Sequence, residues 1–313
     1  MSEKPFISVV IPLYNKADFI LKTLRSAADQ IDVEFEIIVV DDGSTDGGAR
    51  LVESTGRLRL IQQANAGVST ARNRGVAAAE GKWIAFLDAD DLWSPDHLAG
   101  LLNAAKDNSA IAAFSNLQLQ SRAGGPLIDR KVAAQKVEDY FSFALANGGY
   151  PMSSSSILVL RDELLAAGPF AVGVSAGEDI DMWCRLACQG AFVYNAKLSA
   201  TYNDAHSPNN TASGGAREIA RPLFAQRFPN MIREGGVPPA LVESGTRYAN
   251  FLLLEYARQL LDRGQFAEAR AVLLNQCHVS YDANRFVKRL LRTWPPGQAL
   301  FQLSRGAGRR FHR

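Results

Sequence analysis

Short apolar runs alternate with helix-patterned segments from Ile7 to Leu119, and that alternation limits the fold more than any other feature of the chain. Ile7–Ile11 (ISVVI) reads as a buried parallel strand ended by Pro12. Ala17–Gln30 follows with helical spacing through Phe19, Ile20, Leu24 and Ala27. Phe35–Val40 reads as a second strand, cut off by Asp41-Asp42-Gly-Ser. A helix near Ala49–Glu53, a strand at Leu58–Ile61, a helix at Thr70–Ala79 and a strand at Trp83–Leu87 continue the series. Ser94-Pro95 offers a cap residue and a first-turn proline to the next helix, and Ala110–Leu119 reads as one more strand. Such a series predicts βαβ units on a parallel sheet, an α/β fold. Ligands of these sheets sit outside the carboxyl ends of the strands. The polar clusters fall there: Tyr14-Asn15 after the first strand, Asp41-Asp42 after the second, Asp88-Ala89-Asp90 after Trp83–Leu87.

Further along, Ser153–Ser156 opens a strand at Ile157–Leu160, followed by a helix Arg161–Ala167, a Gly-rich turn, and a helix from Glu178 to Cys188. Beyond Ser207 the chain turns loop-like and then helical. Tyr248–Leu261 and Phe266–Leu274 look like an antiparallel helix pair joined at Gly264, with spacing like half of a tetratricopeptide-type unit but no repeat period. At 313 residues, this is room for one large α/β domain and an appendage.

Charge is unevenly placed. From Arg285 onward come eight basic residues and no acidic one, which leaves residues 1–284 at about −6 although the whole chain is +2. RFVKRLLRTW carries basic and apolar residues at helical spacing, so the tail is expected to meet an anionic membrane surface or to pack on its own domain. No nucleic-acid partner is expected. No stretch reaches the roughly 18 apolar residues of a membrane span, and MSEKPFISVV lacks the apolar core of a secretory leader. Three cysteines, Cys184, Cys188 and Cys277, make no disulfide framework and suggest a reducing, cytoplasmic setting. Their spacing reads as buried thiols rather than a zinc site.

The acidic clusters suggest a chemistry. Asp88 and Asp90 at a strand end suit Mg²⁺ or Mn²⁺, hard ions that take carboxylate oxygens plus substrate phosphate and water. The plainer reading is a pair of loop caps. Asp42 could accept from a nucleoside or cap the next helix. Tyr14 could stack on a base or simply pack, and Arg72 in STARNRG could hold a phosphate or remain a solvated helix charge. Glu178-Asp179 opens a helix, where acidic residues are favoured by the dipole, or provides a general base.

Five stretches taken together, SVVIPLYNKADFI, EIIVVDDGSTDGG, NAGVSTARNRG, GKWIAFLDADDLWSPDHL and GEDIDMWCRLA, resemble in order the family 2 glycosyltransferases. The resemblance covers roughly residues 5–205. It implies a GT-A fold, with a mostly parallel central sheet flanked by helices and a helical C-terminal extension. It implies a catalytic domain over residues 1–206, with a donor half to about 120 and an acceptor half after it, and a helical region over 207–313. Pro12 and Tyr14 would line the base pocket, Asp42 would read base and ribose, and Arg72 would approach the donor. Asp88 and Asp90 would form the Asp-x-Asp, with Asp90 the direct ligand of Mn²⁺ or Mg²⁺. Asp179 would be the catalytic base with Glu178 in reserve. His206 would assist the metal, although the family's arginine before it is missing from Tyr202-Asn203-Asp204-Ala205-His206. The reaction implied is an inverting transfer from a nucleoside-diphosphate sugar, with a lean toward UDP, to a hydroxyl of a saccharide or lipid-linked saccharide. The enzyme would be cytoplasmic or peripheral on the cytoplasmic face of a membrane.

Two rivals remain. A non-catalytic binder of nucleotide sugar or glycan would keep the same residues. A serine hydrolase is suggested by Gly173-Val174-Ser175-Ala176-Gly177, a motif that requires a strand directly before it and a helix after.

Overall fold

The computed structural model describes residues 6–56, 58–120, 132–174, 176–203 and 221–294. His206 and Ser175 lie outside these residues, as does the tail beyond Trp294. Contacts divide the chain into two units, Met1–Val174 with Glu178–Arg217, and Ser175–Gly177 with Glu218–Arg313.

In the first unit the chain runs β1 (Ile7–Leu13), α1 (Ala17–Ala28), β2 (Phe35–Asp41), α2 (Gly48–Glu53), β3 (Arg59–Gln62), α3 (Val68–Ala78) and β4 (Trp83–Phe86). β5 (Leu92–Trp93), α4 (His97–Asp107), β6 (Ala112–Gln120), β7 (Gln135–Val137), α5 (Tyr140–Ala146) and β8 (Ile157–Leu160) follow, then α6 (Arg161–Ala166), α7 (Glu178–Ala187) and β9 (Phe192–Asn203). One sheet orders the strands β3-β2-β1-β4-β8-β6-β9-β5, with β7 added on β9. β3, β2, β1 and β4 are parallel. β8 then enters antiparallel between β4 and β6, while β6 and β9 run parallel. The parallel character therefore belongs to the first half, and the second half is mixed. Every residue of β1 is buried, as expected for a strand covered by helices on both faces.

β1 does not stop at Pro12. It pairs with β2 as far as Leu13–Asp41, whereas its ladder with β4 ends at Val10–Phe86, where Leu87 N–H donates to the Val10 carbonyl. Pro12 shares Val10's side of the strand, so its missing N–H faces the side where the β4 ladder has already finished. Helix α3 lies close on β1: a Cβ at Gly75 would stand 2.3 Å from Val10 Cγ1. Ser94-Pro95 does not start α4. Leu92–Trp93 pairs with Ala200–Thr201 as β5, the Ser94 hydroxyl turns to Asp96, and the helix begins at His97.

The second unit holds α8 (Leu223–Arg233), α9 (Val242–Asp262), α10 (Phe266–Gln276) and α11 (Ala283–Leu291). α9 and α10 turn back on each other through Gly264, whose φ of +78° suits glycine. Leu253, Leu254, Ala257, Leu260, Val272 and Leu273 form their core, and Phe286 and Leu290 of α11 pack on it. Two cations at the end of α11 are spent inside this unit: Arg289 pairs with Glu255 at 2.7 Å, and Arg292, just past the helix, with Asp262 at 3.0 Å. Among the described residues no helix is long and apolar enough to cross a membrane.

Candidate active site

The carboxyl ends of β1, β2 and β4 meet where neighbouring strands lead to connections on different sides, and the acidic clusters gather there. After β1, Asn15 takes a left-handed φ of 50°. Its carboxamide oxygen accepts from Thr45 N–H at 2.8 Å, and its own N–H donates to the Ser44 hydroxyl at 3.1 Å. The turn after β1 is thus tied to the turn after β2. Tyr14 remains 48% exposed, its ring presented beside these turns.

Asp42 is buried, and its carboxylate organises the loop before α3. Oδ1 accepts from Gln63 Nε2 at 2.7 Å and Ala66 N–H at 2.8 Å, and Oδ2 accepts from Gly67 N–H at 2.8 Å. Three donors use most of the roughly four lone-pair sites of a carboxylate. Asp42 is therefore first a loop organiser, with at most one acceptor position left for a ligand.

Arg72 joins the two acidic clusters. Its side chain is 4% exposed; Nη2 donates to Asp88 Oδ1 at 2.9 Å and Nη1 to Glu178 Oε1 at 2.8 Å. The Phe170 ring lies 5.6 Å from the guanidinium carbon. Burial opposes the charge, but Asp88, Glu178 and Asp179 outweigh it and keep the guanidinium protonated. Arginine suits this post because its planar fork can serve two carboxylates at once. The guanidinium expected near the donor thus spans the end of β4 and the start of α7.

The Asp88-Ala89-Asp90-Asp91 turn is held from three sides. Asp88 N–H donates to the Ser155 hydroxyl at 3.0 Å, and the same hydroxyl donates to Asp91 Oδ2 at 2.5 Å. Asp91 Oδ1 accepts from Asn203 N–H, and Thr23 Oγ1 donates to the carbonyls of Ala89 and Asp91. Burial raises the Asp91 carboxyl well above its ordinary range, and Asp88 adds to this. Asp88 keeps 30% of its side chain exposed, and Asp90 forms an ion pair with Lys16. Among the described residues no three His, Cys, Asp or Glu side chains form a ready metal cage. Two strand-end carboxylates, one already holding an ammonium, do fit a hard ion that takes its other ligands from substrate phosphate and water.

At the start of α7, Glu178 is buried against Arg72 and Asp179 is half-buried. Burial pushes the Asp179 carboxyl up to about 6; Glu178 adds to the rise and Arg72 opposes it. A carboxylate poised there can accept a proton near neutral pH.

Residues 8–147 match the sequence model described as Glycosyl transferase family 2. The matched segment takes in less than half of the chain and lies within the N-terminal unit. Among curated proteins similar to this chain is the putative teichuronic acid biosynthesis glycosyltransferase TuaG of Bacillus subtilis (strain 168), 36% identical over 129 residues. That match takes in 40% of this chain and 51% of TuaG, so the chain spans about half the length of this relative. Among solved structures, S. aureus TarS 1-349 in complex with UDP-GlcNAc superposes with a TM-score of 0.67 at 18% identity, covering 92% of this chain and 91% of that one. The mannosyltransferase PcManGT from Pyrobaculum calidifontis, in complex with GDP-Man and Mn²⁺, gives 0.54 at 21% identity, with coverage of 96% and 84%. These likenesses confirm the GT-A fold.

The N-terminal unit thus brings Pro12, Tyr14, Asp42, Arg72, Asp88, Asp90, Glu178 and Asp179 to one end of its sheet. His206 lies outside the described residues. The bonds of Lys16 and Ser155 were missed: Lys16 follows the Tyr-Asn pair with no spacing signal, and Ser155 sits in a serine run read only as a strand opening. No strand leads into Gly173, so the hydrolase motif lacks its strand-turn-helix setting. Cys184 and Cys188 are buried thiols, as expected, whereas Cys277 is only half-buried.

Proposed function

We propose that the chain transfers one sugar from a nucleoside-diphosphate sugar, UDP-linked in the first instance, to a hydroxyl of a saccharide or lipid-linked saccharide acceptor, with inversion at the anomeric carbon. The observation that carries this reading is the Arg72 bridge, which joins Asp88 of the candidate metal end to Glu178, next to the candidate base. UDP-GlcNAc in TarS and GDP-Man with Mn²⁺ in PcManGT support the donor class, and the TuaG likeness supports a role in cell-surface polysaccharide synthesis.

In this reading residues 1–206 form the catalytic domain, with the donor half up to about residue 120. Tyr14 offers an aromatic face to the base beside Pro12, and the remaining acceptor position of Asp42 receives a donor from base or ribose. Asp179 takes the proton of the attacking hydroxyl, helped by a pKa near neutrality. Arg72 holds Asp88 and Glu178 in fixed relation, so donor and acceptor meet in line. Mn²⁺ or Mg²⁺ held by Asp90 and Asp88, with His206 assisting, would supply charge neutralisation to the departing diphosphate. An anionic membrane partner rests on the charge count of the tail, since Arg289 and Arg292 are already paired.

The test is calorimetric titration with UDP, GDP, dTDP and CMP, with and without Mn²⁺, on the parent chain and Asp90→Ala. Metal-dependent binding of one nucleoside diphosphate, lost in the variant, is expected. No binding of any nucleotide would overturn the transferase reading and favour a domain that only recognises glycan.

A further inference from the structure

The turn after β4 presents Asp88, Asp90 and Asp91 within four residues, and each carboxylate solves its charge differently. Asp88 takes one arm of Arg72. Asp91 is buried with Ser155 and Asn203 as hydrogen-bond donors. Asp90 takes the Lys16 ammonium, in a pair whose side chains are only 18% and 13% exposed. A lysine usually keeps its ammonium in water, because the group is compact and strongly hydrated. Here the backbone directs it inward. Asn15, fixed at φ 50° by Thr45 and Ser44, turns the chain so that Lys16 sits immediately before α1. The Phe19 ring, 5.8 Å from Nζ, gives the ammonium a second attractive surface.

Resting on the metal-dependent reading above, we propose that Lys16 is the resident counter-ion of Asp90, competing with the divalent cation for its carboxylate while donor is absent. Two cations in contact with one carboxylate repel each other, so Mn²⁺ and the ammonium compete for Asp90. A nucleoside diphosphate offers that ammonium new phosphate oxygens nearby. Lysine suits this exchange better than arginine, because a point charge on a flexible stem can change partners without losing a bidentate geometry. The free protein therefore binds the metal weakly, and nucleotide strengthens metal binding. By linkage, the metal strengthens nucleotide binding by the same factor.

The test is a titration of Mn²⁺ into the full chain without nucleotide, read from the loss of the free Mn²⁺ signal in electron paramagnetic resonance. Lys16→Met is expected to bind Mn²⁺ about tenfold more tightly than the parent, a gain consistent with removing a cation from a mostly buried ion pair. Lys16→Arg, which keeps the charge, is expected to stay near the parent. Adding UDP should narrow the gap between parent and Lys16→Met. Circular dichroism melts check that the variants remain folded. Equal Mn²⁺ affinity in the parent and Lys16→Met, with binding abolished by Asp90→Asn, would overturn the counter-ion role and leave the metal site standing. Absence of Mn²⁺ binding in the parent and in Lys16→Met, with or without UDP, would overturn the metal reading itself and this proposal with it.

Discussion

Glu178→Gln should lower the pKa of Asp179, and the effect can be read without knowing the acceptor. In the folded chain Asp179 is pushed from the ordinary 3.8 up to about 6, first by burial and then by the adjacent Glu178 charge, while Arg72 pulls it down. The exchange leaves burial almost unchanged, because glutamine fills the same space and can still accept from Arg72 Nη1. It removes the negative charge that raises the pKa, so the shift is downward. A neighbouring carboxylate at an effective dielectric of about 20 is worth on the order of 2 kcal/mol, and partial neutralisation by Arg72 reduces this to about 1 kcal/mol. That corresponds to a little under one pH unit, bringing Asp179 to about 5. Carbon-13 carboxyl NMR on aspartate-labelled protein, with the Asp179 signal assigned from Asp179→Asn, measures both values. If transfer depends on the ionised form, its acid limb moves down with the pKa, so the variant keeps more of its maximal rate at pH 5 than the parent does. An Asp179 signal titrating near 3.8 in the parent, or a higher value in Glu178→Gln, would refute the electrostatic account of this base.

Two further results are expected. His97 is buried, stacked on Trp93 and paired through Nδ1 with the Ser199 hydroxyl at 2.8 Å, and burial lowers its pKa from 6.5 to about 3. The unfolded chain therefore takes up this proton first, and stability is lost as pH falls from about 6.5 toward 3, with a slope approaching about 1.4 kcal/mol per pH unit. Denaturant titrations at pH 7, 6 and 5 should show a flatter dependence in His97→Phe, and an unchanged slope would refute the assignment. Gly75→Ala should destabilise the first unit by about 1–3 kcal/mol although alanine favours helix, because the new Cβ meets Val10 Cγ1. Combining it with Val10→Ala should recover part of the loss, and purely additive losses would point to another cause.

Most of the fold was legible because burial is written locally. Ile7, Val9 and Ile11 cannot sit in water as a run, and the helical spacing of Ile20, Leu24 and Ala27 marks one buried face. Boundaries failed where a long-range partner decided them. Pro12 is an ordinary strand-breaker unless the neighbouring ladder has already ended on its side, and only the pairing of β1 with β4 shows that. Ser94-Pro95 looks like a helix start until β9 claims Leu92 and Trp93 as a strand. The insertion of β8 antiparallel to both of its neighbours has no local signature, since ILVL suits either direction.

The site divides along the same line. That Asp42, Asp88 and Asp90 would gather at one sheet end followed from their places after strands, whereas Asp179 was joined to them only by the family resemblance. What each oxygen does there depends on partners far away in sequence. Arg72 meets Glu178 across 106 residues and Asp88 across 16. From its motif alone the guanidinium appeared available to a phosphate, yet burial makes that role expensive: with Arg72 moved to a ligand, Asp88 and Glu178 would each lose a charged donor, and Glu178 would lose it in a buried setting. The exposed Tyr14 ring faces no such penalty, and Asp88 and Asp90 would meet the donor through a metal ion that offsets charge they now share with Arg72 and Lys16. Donor contacts should therefore fall on them, with Arg72 acting as the rigid connection between the proposed metal end and the proposed base.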